Sequence, residues 1–189
     1  MRRPTMVAVL VCAVALAGCA GDGGAAPERC VPGVDGLDGV LVRFDTTLGA
    51  FTVCTAARHA PSTVRNFLEY VDTGYYVGLT FHRVSPGFVV QGGGFEADYE
   101  TRHAERPPIR LEATPRQPNV KWSLSMARTS DPHSATSEFF INLEDNTNLD
   151  PTGPNTGYAV FAHVVEGFGT IEAMTKVEPG PSFSAGGFY

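Results

Sequence analysis

The run from Phe81 to Phe95 sets one arginine (Arg83), a phenylalanine (Phe88), two valines (Val89, Val90) and a glutamine (Gln91) at strand spacing around the dipeptide Pro86-Gly87. Side chains alternate across a strand, and a guanidinium is a permanently charged, rigid fork of donors, so this stretch predicts an apolar wall with one fixed cation. A second pair of alternating segments, Met126-Ala127-Arg128 and Ser137-Glu138-Phe139-Phe140-Ile141-Asn142, is separated by a polar loop. Other chemistries lack their residues. The triplet Gly92-Gly93-Gly94 is not followed by the Lys-Ser/Thr and helix of a phosphate loop, and its glycines are read as permitting a bulge or a close backbone approach. The five histidines are scattered without ligand spacing, no Cys-x-x-Cys occurs, and no nucleophile elbow or Ser/His/Asp constellation is visible, so no metal and no cofactor is expected.

The elements that must hold these residues are short. Residues 40–45 and 50–54 alternate around Thr46-Thr47-Leu48-Gly49 and predict a hairpin. Ala60-Pro61-Ser62-Thr63 opens a helix in which Val64, Phe67, Leu68 and Val71 share one side, and Gly74 stops it. Short strands are predicted near 79–84, 87–91, 109–113, 122–127, 137–142 and 158–165. A second helix is expected from Gly167 to Lys176, with Phe168, Ile171 and Met174 on one side. Many short strands with two helices point to an antiparallel barrel closed at its ends by helices. The stretch from Phe95 to Gln117, rich in charge, His and Pro, reads as a surface excursion.

Taken together, Arg83, Gln91, Ala127-Arg128, Ser137-Glu138-Phe139-Phe140 and Gly157-Tyr158-Ala159-Val160-Phe161 resemble the core of the cyclophilins, peptidyl-prolyl cis-trans isomerases, and most closely their bacterial periplasmic branch. The resemblance covers about residues 40–178. It implies a mainly β fold, a closed antiparallel eight-stranded barrel capped by two helices. The last strand of that barrel is missing here, because the sequence ends at Ser184-Ala185-Gly186-Gly187-Phe188-Tyr189; truncation is the expected reason. An open edge beside residues 40–45 would invite aggregation. By resemblance Arg83 is the catalytic arginine and Gln91 orients it. Phe88, Val89 and Phe140 form the proline pocket, with Leu149 at the rim, and Ala127 and Arg128 contact the substrate residue before proline through their backbone. Glu138 and Tyr158 complete the substrate surface. His82 alternates away from Arg83 and is expected to be structural, and Trp122 is assigned no catalytic role.

Several positions depart from the family pattern. Val89 stands where many relatives carry methionine, implying a shallower pocket. Glu138 stands for a glutamine, which would put a carboxylate near Arg83, where an ion pair either holds the guanidinium or competes with substrate for its donors. Asn148 stands for the tryptophan of cyclosporin-sensitive relatives, so cyclosporin binding should be weak or absent. Tyr158 stands for a histidine and can still pack and donate. Alternation sets Phe88 and Val90 opposite Val89 and Gln91, so the turn and the sheet's curvature must bring the pocket residues together.

The N-terminus indicates where the chain goes. Arg2 and Arg3 precede an apolar stretch from Met6 to Ala17, too short to span a bilayer, and then Leu16-Ala17-Gly18-Cys19. Residues 1–18 read as a lipoprotein signal peptide and Cys19 as the lipid attachment site, the alternative being an ordinary signal peptide with a chance cysteine. Residues 19–36 form the lipidated N-terminus and a flexible tether, and residues 37–189 the catalytic domain. The expected location is the cell envelope, lipid-anchored on the periplasmic or extracytoplasmic face. Cys30 and Cys54 then suit a disulfide, worth on the order of 3 kcal/mol, or remain two buried free thiols. The net charge of −6 argues against nucleic acid as a partner. Expected partners are proline-containing peptides and unfolded exported proteins, with the domain a monomer. The rival function is a proline-peptide binding module or chaperone with little or no turnover.

Overall fold

The structure, a computed structural model, describes residues 39–177. Strands β1 (Leu41–Thr46), β2 (Gly49–Thr55), β3 (Arg83–Ser85), β4 (Val89–Gly92), β5 (Ser123–Met126), β6 (Phe139–Asn142) and β7 (Val160–Glu166) form one sheet. Its order is β1-β2-β7-β5-β6-β4-β3, and every neighbouring pair is antiparallel. The sheet curls into a half-barrel with two helices, α1 (Pro61–Asp72) and α2 (Phe168–Met174). Strands β1 and β3 end the order, so closure by an eighth strand is not seen among the described residues. The expected signal peptide (residues 1–18), Cys19, Cys30 and residues 178–189 lie outside those residues. Cys54 is fully buried and disulfide-bonded, and its partner also lies outside them. Among the described residues no helix is long and apolar enough to cross a membrane.

One face of the sheet carries the core. Phe44 stacks on Phe51 at 4.7 Å, and Phe67 of α1 packs 5.0 Å from Phe161 and edge-on, at 6.0 Å, to Phe139. Val90, Ile141, Leu124 and Ala162, aligned across four strands, all point into this core. Burial of such side chains contributes about 1.5–3 kcal/mol each. Helix α1 begins where Pro61 sits in its first turn, yet Ala60 offers no side-chain cap. Glu112 supplies it from afar, accepting from Ser62 N (3.2 Å), Thr63 N (2.8 Å) and Thr63 Oγ1 (2.8 Å). A carboxylate at that end satisfies donors the helix cannot and favours its dipole.

Some expected elements are shorter or absent. The 109–113 strand reduces to a bridge between Ile109 and Ala135, and Leu111 N–H, which a ladder would need, donates instead to His133 Nδ1 (3.2 Å). The 79–84 segment becomes a bridge from Leu79 to Glu96, followed by β3. The strand expected from 122 starts at Ser123, since Trp122 has φ +69° and turns the chain. Phe168 does not join Ile171 and Met174 in the core. It stays 38% exposed and packs 5.3 Å from Trp122.

Candidate active site

The face opposite the core carries the site. Register pairs Arg83 with Gln91 on β3 and β4, and Gln91 with Phe140 on β6, so these three side chains lie in a row across the sheet. Val89, two residues before Gln91, shares its face, while Val90 enters the core. Phe88 precedes the strand and joins the same side through the turn, where Gly87 takes φ +74° and Phe88 N–H donates to Ser85 O (2.9 Å). That left-handed position favours glycine.

A cavity of about 500 Å³ opens on this row. All ten residues expected at the site line it: Arg83, Phe88, Val89, Gln91, Ala127, Arg128, Glu138, Phe140, Leu149 and Tyr158. Four more that sequence reasoning missed also line it, Thr129, Ser130, Ser134 and Thr136. Their hydroxyls are organised: Ser134 Oγ accepts from Thr129 N (2.9 Å) and donates to Asp131 O (2.7 Å). The crowding of Ser and Thr between the two site segments was the signal available for them.

Arg83 is exposed at the rim, with its Cζ 5.8 Å from the centre of the Phe88 ring. Its Nη1 donates to Gln91 Oε1 (3.2 Å), and Gln91 Nε2 donates onward to Glu138 Oε2 (2.8 Å). The expected Arg83–Glu138 ion pair is therefore corrected. Among the described residues no ion pair joins them, because the Gln91 amide occupies the space between. Burial pushes the Glu138 carboxyl above its usual range, and the Gln91 hydrogen bond opposes that. His82 packs 4.5 Å from Phe95, and its Nε2 lies 3.5 Å from Glu138 Oε2. Neither ring nitrogen makes a hydrogen bond. Burial, then the charge of Arg83, lowers its pKa to about 4, so the ring is neutral at physiological pH.

The opposite wall is built from loops. Arg128 lies over the Tyr158 ring at 4.6 Å, donates from Nε and Nη2 to Gly157 O (3.2 and 3.0 Å) and from Nη1 to Thr129 O (2.9 Å). Tyr158 meets Phe140 edge-on at 5.5 Å. Behind this wall sits Asn119, 1% exposed, whose Nδ2 donates to Leu149 O (3.1 Å) and Asp150 Oδ1 (3.0 Å) while its Oδ1 accepts from Ser125 Oγ (2.7 Å). Asn146 Nδ2 similarly donates to Phe88 O (2.9 Å) and to Asn142 Oδ1 (2.8 Å). These buried asparagines hold the loops that carry Leu149, Tyr158 and Phe88, and nothing in their spacing announced it. Among the described residues no three His, Cys, Asp or Glu side chains cluster to hold a metal.

A row of one cation and one amide beside an apolar cup can bind and polarise, without transferring a proton or attacking a carbon. Comparison with known proteins is specific. The family model described as cyclophilin type peptidyl-prolyl cis-trans isomerase/CLD matches residues 41–183. The chain is 44% identical over 137 residues to peptidyl-prolyl cis-trans isomerase A of Dickeya dadantii, covering 72% of each chain. It is 43% identical over 145 residues to peptidyl-prolyl cis-trans isomerase B of Escherichia coli, covering 75% of this chain and 88% of that one. A crystal structure of a cyclophilin type isomerase from Cryptosporidium parvum is similar, with TM-score 0.64 and 25% identity over 72% of this chain and 83% of that one. The same protein in the presence of the dipeptide Ala-Pro gives TM-score 0.63 and 26% identity, covering 72% and 84%.

Proposed function

Since the chain belongs to the cyclophilin-type family and is a peptidyl-prolyl cis-trans isomerase, we propose that it acts on X-Pro bonds of unfolded exported proteins, with Arg83 stabilising the twisted amide above an apolar proline seat. The obstacle is the amide's partial double bond, a barrier of about 18–20 kcal/mol. In the twisted form the imide nitrogen regains its lone pair. A guanidinium can donate to that lone pair and to the proline carbonyl, while Phe88, Val89, Phe140 and Leu149 hold the ring. Binding the twisted amide more tightly than either planar form accelerates the exchange without a nucleophile.

The observation that carries this reading is the alignment of Arg83, Gln91 and Phe140 on one face, beside a cavity of about 500 Å³. The Ala-Pro dipeptide used with the Cryptosporidium relative supports proline peptides as the ligand class. Proline-limited refolding of a test protein, followed with wild type and Arg83→Ala, tests it. The variant should lose most of the acceleration, and equal rates overturn the arginine's role.

The same reading places the protein on the envelope, where slow X-Pro bonds delay maturation of exported chains. The support is the sequence up to Cys19. Fatty-acid labelling of the wild type, absent in Cys19→Ala, is the expected result; equal labelling, or none in either, removes the anchor. We further read the domain as a monomer with weak cyclosporin binding, since Asn148 offers no indole beside Leu149. The outer edge of β1 is read as the seat of a closing eighth strand, supported by β1's place at the end of the strand order.

A further inference from the structure

We propose that Glu138 is a positioning residue for the isomerisation: its carboxylate fixes which end of the Gln91 amide faces Arg83 and thereby aims the guanidinium. The inference rests on the reading of Arg83 given above. A primary amide has a donor end and an acceptor end of nearly the same shape. Left alone, Gln91 could present either end to Arg83. A guanidinium only donates and a carboxylate only accepts, so between them one orientation satisfies both neighbours. That orientation is the one observed, with Oε1 toward Arg83 at 3.2 Å and Nε2 toward Glu138 at 2.8 Å. The flipped amide would set its oxygen against a carboxylate and its NH₂ against a guanidinium.

The fold makes room for this carboxylate. A Cβ at Gly94 would lie 2.6 Å from Glu138 Oε1 and 2.7 Å from its Cδ and Cγ, so the side chain occupies space that only a glycine leaves open. Its backbone is fixed from both sides. Ala127 N donates to Glu138 O (2.9 Å), and Tyr76 Oη donates to Ser137 O (2.9 Å). Glu138 is thus seated by its neighbours rather than swinging in solvent.

The titratable and charged groups around it are His82, Arg83 beyond Gln91, Tyr75 and Tyr76. His82 stays neutral down to about pH 4, and burial raises both tyrosines, so they are neutral as well. Glu138, held above the usual carboxylate range by burial, is the first of these to change charge on acidification. Once protonated it gains a donor, and either end of the amide can then face it. Activity should fall with that protonation.

The test measures isomerisation of a short Ala-Pro peptide by the full chain, for wild type, Glu138→Ala, Glu138→Gln and Gly94→Ala. Glu138→Ala should lower kcat roughly three- to ten-fold, the scale of one hydrogen bond, with KM unchanged. Glu138→Gln, like the protonated acid, offers a donor as well as an acceptor to the Gln91 amide; it should hold the wild type's lower, acid-side rate at every pH and show no acid decline of its own. Gly94→Ala should repeat the Glu138→Ala loss with every polar group still present. An unchanged kcat in Glu138→Ala, or superimposable pH profiles for wild type and Glu138→Gln, overturns the proposal. The wild type alone gives an independent readout: the Gln91 side-chain NH₂ resonances should shift as Glu138 titrates, and fixed resonances overturn it too. Arg83→Ala with wild-type rates would sink the arginine reading and this one together. An inactive Arg83→Ala beside a fully active Glu138→Ala would sink this one alone.

Discussion

The two walls of the pocket are made by different means. One is written in strand register: β3, β4 and β6 set Arg83, Gln91 and Phe140 in a row, and the same ladder sends Val90 and Ile141 into the core. The other is made of loops whose shape comes from buried polar contacts, with Asn119 behind Leu149 and Arg128 clamped across Tyr158. A wall made by register fails only when the sheet fails. A wall made by hydrogen bonds can be lost one side chain at a time, because each buried amide left without partners costs about 1–3 kcal/mol.

Removing the cation from the strand wall should have the largest effect. Arg83→Ala is expected to lower kcat/KM by roughly 100- to 1,000-fold, the usual cost of one transition-state donor, with thermal stability unchanged. Steady-state kinetics and a melting curve check both halves. On the loop wall, Asn119→Ala should do the reverse, costing about 3 kcal/mol in denaturant unfolding while Arg83 remains in register. If unfolding is unmoved, the loops are held by something other than this hub.

Acid should next separate the strand wall from the rest. Unfolded His82 takes its proton near pH 6.5, whereas the folded ring resists until about pH 4. The unfolded state therefore binds more protons in that window, so stability falls as pH drops through it, by at most roughly 3 kcal/mol, and is constant above it. Glu138, raised by burial, works in the opposite sense within the acid part of the window, since its folded form takes the proton first. His163, also lowered by burial, adds to the same limb, so a His82→Leu variant should make the acid limb of the stability curve measured by urea unfolding shallower without abolishing it. A limb as steep as the wild type's would show that other groups produce it. The smallest effect is expected from Arg128→Ala, which removes the guanidinium lying over Tyr158: KM should rise about two- to five-fold at constant kcat, as for loss of uniform binding. A fall in kcat instead would mean the loop wall takes part in stabilising the twisted amide.

The same division decides what could be read in the sequence. Local periodicity made α1 and the first hairpin legible, while Arg83, Gln91, Val89 and Phe140 were picked out by the family resemblance, and the structure sets all four on the cavity. The proline-rich excursion misled, because alternating Ile109 and Leu111 look like a strand while Leu111 N–H is taken by His133 Nδ1 at 3.2 Å. Glu138 was located but given the wrong neighbour, since a sequence shows charge and not the amide lying between two charges. Asn119, Asn142 and Asn146 were silent because buried amides carry no period. Their importance comes from where distant carbonyls happen to end.

Glu112 reaches the start of α1 across 49 residues of chain to Thr63. The first turn of this helix is therefore completed by a segment synthesised well after it, and until that segment docks the leading amides have only water to bond. Hydrogen exchange at Ser62 and Thr63 should consequently time the arrival of the proline-rich excursion, making two backbone protons a clock for the assembly of a remote part of the domain.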